Sequence, residues 1–260
     1  MPVADMEPLL RLHGVSKSFG GIKAVHTISF DVGAGESVGL VGPNGAGKTT
    51  LFNCVCGQLR PEEGDIIFDG SPLLGLPTYK RARMGIGRTY QRVEVFTDMT
   101  VRDHLLVAER SRRGEGRLWR DLLNLSKPKP EEMDRVDATL NLVGISNLAD
   151  VSVNALGLGH CRLVELARAL ATEPKILLAD EPSSGLDLHE TAEVAAVLRT
   201  VQRERGTAVL LVEHDLTMVA EVVDRAVVMD LGAMLFAGTF DDCMADPAVR
   251  DAYLGQMGHA

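Results

Sequence analysis

Gly42-Pro43-Asn44-Gly45-Ala46-Gly47-Lys48-Thr49-Thr50 is the stretch that decides the fold of this chain. It matches the pattern G-x-x-x-x-G-K-[ST], a glycine-rich loop that leads from a buried strand into a helix. The flanks agree with the pattern. Glu36 to Val41 reads as a short buried strand, and Thr50 to Val55 as the start of a helix. Backbone N–H groups gathered at a helix N-terminus can surround an anionic phosphate. Gly42, Gly45 and Gly47 let the backbone approach without a Cβ clash. In such a loop Lys48 reaches the β- and γ-phosphates of ATP, and the Thr49 hydroxyl binds Mg²⁺.

Working outward, Leu9 to Val15 and Ala24 to Val32 read as strands around a turn at Phe19-Gly20-Gly21. Gly64 to Gly70 alternates like an exposed-edge strand closed by Asp69-Gly70. From about residue 95 the character changes. Val101 to Arg112 and Pro130 to Val143 have helical spacing, and the stretch between them is basic and broken by Gly114, Gly116, Pro128 and Pro130. Residues 95–155 are therefore expected to form a helical insertion between two halves of an α/β core. Beyond it, Lys175 to Asp180, Ala208 to Val212 and Ala226 to Met229 are short apolar runs of the kind found in buried parallel strands. Helical segments near 190–204 and 216–222 separate them, which implies a mostly parallel sheet covered on both faces.

Composition bounds the reading. The 260 residues suit one large domain or a domain with a subdomain. A net charge of −9 argues against nucleic acid as the main partner. No apolar run approaches the roughly 20 residues of a spanning helix, and Met1 to Leu12 carries acids and no apolar core, unlike a signal peptide. The four cysteines, Cys54, Cys56, Cys161 and Cys243, lack metal spacing and read as buried thiols of a reducing compartment.

Asp180 and Glu181 close an apolar strand. In this class of fold an acid at such a strand end lies beside the phosphate loop. There Asp180 can hold Mg²⁺ through water with Thr49, and Glu181 can polarise an attacking water.

Taken in order, Phe19, the phosphate loop, Gln91, Leu156 to His160, Asp180-Glu181, Ser184-Gly185-Leu186-Asp187 and His214 resemble the motif set of ATP-binding-cassette (ABC) ATPases. The resemblance runs from about Leu9 to Gly255. It implies an α/β P-loop ABC core with an antiparallel β subdomain and the inserted helical subdomain. One ABC domain would span 8–260, with a C-terminal tail at 241–260. It also implies that Phe19 stacks on adenine and that Gln91 senses Mg²⁺ and contacts a membrane subunit. His214 would contact the γ-phosphate. Gly157, Gly159 and Asp187 would meet the nucleotide across a dimer. Each has a plainer alternative: Phe19 in a core, Gln91 on the surface, His214 as a cap, Asp187 as a helix N-cap. Val15 to Gly21, Arg88-Thr89-Tyr90-Gln91, the basic insertion and the tail Asp246 to Gly255 are similar to ATPase subunits of branched-chain amino-acid importers. The tail is shared with the ATPases of urea and lipopolysaccharide systems.

That resemblance implies a peripheral ATPase subunit on the cytoplasmic side of the cell membrane. Its partners would be a second ATPase subunit, transmembrane permease subunits and, indirectly, a solute-binding protein. A soluble ABC protein acting on DNA or ribosomes would usually carry two cassettes, a coiled coil or a basic face. A weakly hydrolysing regulatory subunit is the other rival. It draws support from the signature loop, which in this family usually reads Leu-Ser-Gly-Gly-Gln and here reads Leu156-Gly157-Leu158-Gly159-His160. The serine hydroxyl is lost, while the helix N-terminus that follows still suits a phosphate. The basic segment with Leu118, Trp119 and Leu122 reads as a membrane-subunit or headgroup contact, or as a solvated face.

Overall fold

The computed structural model describes residues 7–89, 99–113 and 128–257. A six-stranded sheet forms its centre. Strand β3 (Ser37–Val41) lies between β9 (Arg225–Asp230) and β8 (Ala208–Val212), followed by β7 (Ile176–Asp180) and β6 (Ile86–Arg88); β10 (Ala233–Gly238) closes the far edge. All these pairings are parallel except that of β10 with β9.

The reason β3, β7 and β8 can be central is that they are buried at every position. Their side chains alternate between two cores, as the pleat requires. Ile176, Leu178, Leu210 and Val212 enter one core with Phe52 and Phe68. Leu177, Ala179, Val209 and Leu211 enter the other with Leu105, Leu140, Leu163 and Leu198. Fully burying each such side chain stabilises the fold by about 1.5–3 kcal/mol.

The first core is roofed by a four-stranded antiparallel sheet with the order β2 (Ile22–Val32), β1 (Leu10–Phe19), β4 (Glu63–Phe68), β5 (Ser71–Pro72). Here the expected exposed edge at 64–70 is corrected. β4 pairs with β1 on one side and with the two-residue β5 on the other, and Ile66 and Phe68 are fully buried. The alternation in the sequence reported one solvated face; it could not report which strands flank the segment.

Helix α1 (Lys48–Cys56) fills the space between the two sheets, and α2 (Thr78–Met84) follows β5. The second core is covered by α3 (Val101–Arg113), α4 (Pro130–Val143), α5 (Leu158–Ala171) and α6 (Leu188–Arg205). Pro130 opens α4 at a position that needs no N–H donor, and the buried pair Arg110–Glu132 ties α4 to α3. That guanidinium also holds the Glu132 carboxyl below the ordinary range. Helices α7 (Leu216–Val222), α8 (Phe240–Ala245) and α9 (Pro247–Met257) complete the chain, with Cys243 and Val249 packed on Val41 and Val228. All four thiols are free; Cys54, Cys56 and Cys243 are buried as expected, whereas Cys161 is only half-buried. Burial pushes Cys56 up to about 12.

Arg81 on α2 closes the last turn of α1. Its buried guanidinium donates to the Cys54 and Val55 carbonyls at 2.8 and 2.7 Å and to the Leu76 carbonyl at 3.0 Å. The negative end of the α1 dipole is thereby neutralised at the end opposite the phosphate loop. Arg81→Met should cost about 2–3 kcal/mol, the worth of one or two charge-assisted bonds and the desolvation of the orphaned carbonyls. Urea unfolding of the variant measures this, and an unchanged midpoint would show that α1 does not need the cap.

Candidate functional site

The C-terminal ends of β3, β7 and β8 share one edge of the sheet because the strands are parallel and in register, with Asp180 opposite Val212. Loops leaving those ends must therefore converge, and the motif residues ride on them.

Gly42 and Gly47 shape the loop after β3. Both have positive φ, 142° and 97°, and a Cβ at either would overlap a carbonyl oxygen, that of Met229 or of Ala24. Gly47 is the N-cap of α1, and no side chain caps the helix's first amides or places an acid in its first turn. The N-terminus is thus open and electropositive, which suits an anion. Lys48 is only 6% exposed. Its ammonium donates to the Gly42 and Pro43 carbonyls at 2.6 and 2.8 Å, folded back into the loop. Burial lowers its pKa, and the nearby Glu181 opposes that shift. Asn44, Gly45 and Thr49 are exposed at the loop's surface, Thr50 is half-buried and Ala46 is buried.

Asp180 ends β7 with 2% exposure. Burial raises its pKa, partly offset by Arg88, whose guanidinium lies 3.4 Å from Oδ2. Among the described residues its other oxygen, Oδ1, is buried without a hydrogen-bond partner. A buried carboxylate oxygen left open is costly unless a cation or water completes it. Glu181 follows with φ 46°, an uncommon left-handed conformation for this residue. Its N–H donates to the Val212 carbonyl at 2.8 Å, so β8 pins the turn. Strain of this kind gathers at functional sites.

His214 stands beyond β8 with its side chain 57% exposed. It is not the cap of α7: Asp215 fills that place and accepts from Thr217 and Met218. Phe19 is 47% exposed at the end of β1, with Lys17 Nζ 5.3 Å from its ring, so it is not a core aromatic. Gln91 and the stretch 114–127, including Leu118, Trp119 and Leu122, lie outside the described residues.

Gly157 is the N-cap of α5, so the helix begins at Leu158, four residues before the run that reads as amphipathic. Open space surrounds the Cβ position of Gly157, whereas a Cβ on Gly159 would overlap the Glu190 carboxylate. That carboxylate is committed: it accepts from the Asp187 N–H at 3.2 Å, while Asp187 accepts from the Glu190 N–H at 2.9 Å. Asp187 is therefore an N-cap within a capping box, a role compatible with a further contact across a dimer. Arg162 on α5 also reaches the Ser184 carbonyl at 3.4 Å. The signature segment and the segment after Glu181 are thus tied together within one chain. Two residues at this edge have no role assigned to them by the sequence. Arg88, 4.9 Å above the Phe52 ring and bonded to Asn53, holds Asp180. Glu213 is fully buried between two of the loops.

A strand, a phosphate loop and a helix with an open N-terminus, beside an acidic strand end, mark a P-loop nucleotide-binding protein. Within that class, the ABC transporter family matches residues 25–184. The high-affinity branched-chain amino acid transport ATP-binding protein LivG of Escherichia coli (strain K12) is 38% identical over 253 residues, 96% of this chain and 99% of LivG. BraF of Pseudomonas aeruginosa, of the same description, is 37% identical over 96% of this chain and 98% of its own. A crystal structure of an ATP-binding cassette of an ABC transporter in its ADP conformation superposes with TM-score 0.85 at 28% identity, covering 96% of this chain and 100% of the other. The chain belongs to the ABC transporter family, as an ATP-binding cassette ATPase.

The α5 N-terminus makes two substitutions separable. Gly157→Ser should fold with equal or slightly greater stability, because it adds a favoured N-cap side chain in open space. Gly159→Ala should lose about 1 kcal/mol, since Glu190 must leave the Asp187 capping box. Thermal unfolding of the two variants side by side would contradict the geometry if their order were reversed.

Proposed function

We propose that this chain is the ATP-hydrolysing subunit of an importer for branched-chain amino acids. The length-wide identity with LivG and BraF carries the reading. A lower identity of 35% to the lipopolysaccharide export protein LptB of Acidithiobacillus ferridurans, over 97% of this chain, makes an exporter the weaker choice. Domain 8–260 is one cassette, with residues 95–155 as its helical subdomain and 241–260 as its tail. The chain works on the cytoplasmic side of the membrane. Among the described residues no helix is long and apolar enough to cross one, so permease subunits supply the path and a solute-binding protein the cargo. Nucleic acid is not a partner.

In this reading the loop Gly42 to Thr50 holds the phosphates of ATP by its amides, and Phe19 stacks on adenine. Lys48 turns from the loop carbonyls to the β- and γ-phosphates, exchanging two neutral acceptors for a charged one, which strengthens the bond. Mg²⁺ fits the residues present. Thr49 offers an exposed side chain and Asp180 an open buried oxygen; Gln91, which lies outside the described residues, is assigned a third contact by the family resemblance alone. No self-sufficient cluster of three metal-ligating side chains exists among the described residues, so phosphate oxygens and water complete the sphere. The ion would offset charge on the transferred phosphoryl group. Glu181 accepts a proton from, or polarises, the attacking water, and His214 holds the γ-phosphate. Gly157, Gly159 and Asp187 close on the nucleotide of a second cassette. Lacking the serine hydroxyl at 157, the chain hydrolyses slowly until its partners hold the dimer in register.

Glu181→Gln should keep ATP binding while turnover falls about 10²-fold or more. In proteoliposomes with the permease subunits, uptake of leucine should vanish with it. Normal turnover in this variant would remove Glu181 from the role, and ATP-dependent uptake that ignores leucine, isoleucine and valine would refute the importer assignment.

Asp180→Asn separates folding from metal binding. Burial already disfavours the Asp180 charge, so the nucleotide-free variant should unfold at an equal or higher temperature. The extra stabilisation by ATP with Mg²⁺ over ATP with EDTA should disappear. Retention of that difference would place the ion elsewhere.

A further inference from the structure

We infer that Glu213 is a positioning residue that clamps the loop carrying Glu181 to the loop carrying His214. The carboxylate is 0% exposed and lies between the segments that follow β7 and β8. Its Oε1 accepts from the Ser183 N–H at 2.9 Å and from the Ser183 hydroxyl at 2.5 Å. Its Oε2 accepts from the His214 N–H at 2.9 Å and the Asp215 N–H at 3.4 Å. One side chain thus bonds Ser183, two residues after Glu181, on one loop and the His214 and Asp215 amides on the other.

The energetics make this a clamp rather than a filler. A buried carboxylate is stable only when its oxygens are satisfied. Among the described residues this one is met by hydrogen-bond donors of the two loops and by the His214 ring, whose Nδ1 lies 3.5 Å from Oε2. The His214 and Asp215 amides lie on Glu213's own loop and move with it, whereas Ser183 supplies both bonds from the other loop, so moving the loop that carries Glu181 away leaves Oε1 buried without a donor. The turn it braces is the strained one, with Glu181 at φ 46°. Chemistry selects a carboxylate here. Both oxygens face backbone N–H groups, so a glutamine, however it is turned, sets its own NH₂ against a donor. Fully buried, the residue acts through Glu181 and His214, and the inference rests on the roles proposed for them.

The test uses the full chain, with kcat, KM for ATP and the unfolding temperature measured for Glu213→Gln, Ser183→Ala and, as control, Glu181→Gln. Glu213→Gln should lower kcat about tenfold or more, as a misplaced catalytic geometry does, with KM within about twofold because the phosphate loop is untouched. Ser183→Ala removes one bond of the four and should lower kcat about threefold, again with KM steady. A merely structural defect would move KM and kcat together with the unfolding temperature, and that outcome overturns the clamp. So does unchanged kcat in Glu213→Gln or, if that variant fails to fold, in Ser183→Ala. Normal turnover in Glu181→Gln would instead bring down the catalytic reading beneath it.

Discussion

Burial of β3 on both faces, between β8 and β9, is the constraint on which the rest of the molecule depends. A loop can offer amides to a phosphate only if the strand before it and the helix after it cannot move. Here α1 is held between two sheets by Leu51, Phe52 and Val55, and its far end is closed by Arg81. The loop is the one part of this unit left facing outward. Gly42 and Gly47 lie hard against the Met229 and Ala24 carbonyls, so the approach that suits a ligand's phosphate also locks the loop to β9 and β2.

A second consequence of the parallel sheet is electrostatic. It brings Lys48, Asp180, Glu181 and Glu213 to one buried or half-buried edge, where each charge needs a partner. Lys48 borrows loop carbonyls, Asp180 takes Arg88 for one oxygen, and Glu213 takes four hydrogen bonds. The open oxygen of Asp180 and the folded-back ammonium of Lys48 are the two pairings that the proposed nucleotide and its cation would complete. Affinity for such a ligand follows from the cost of the ligand-free arrangement as well as from the bonds the ligand itself makes.

The departure of the signature loop from the family's usual wording has little effect on the fold. Gly157 caps α5 by backbone alone, and Gly159 is required by the close approach of Glu190. Leu158 replaces a small residue with one that is exposed and lies 3.1 Å from the Cβ position of Gly185. The capping box of α6 and the bond from Arg162 to Ser184 keep this region joined to the strand end that bears Glu181.

The sequence by itself determined the phosphate loop, the strand–helix alternation and the acid pair, because each is a local pattern: glycines at fixed offsets, apolar runs of strand length, carboxylates at a strand end. It also pointed to buried thiols, which Cys54, Cys56 and Cys243 are and the half-buried Cys161 is not. What it left open depends on neighbours distant in the chain. Alternation in 64–70 could not reveal that β1 and β5 flank that strand. Glu213 reads as one acid among several, and its burial exists only because β7 and β8 lie side by side. Arg88 and Arg81 are ordinary cations until the packing of β6 and α2 desolvates them beside Asp180 and the end of α1. Spacing specifies local conformation, whereas the partner of a buried charge is chosen by tertiary contacts that no single stretch contains.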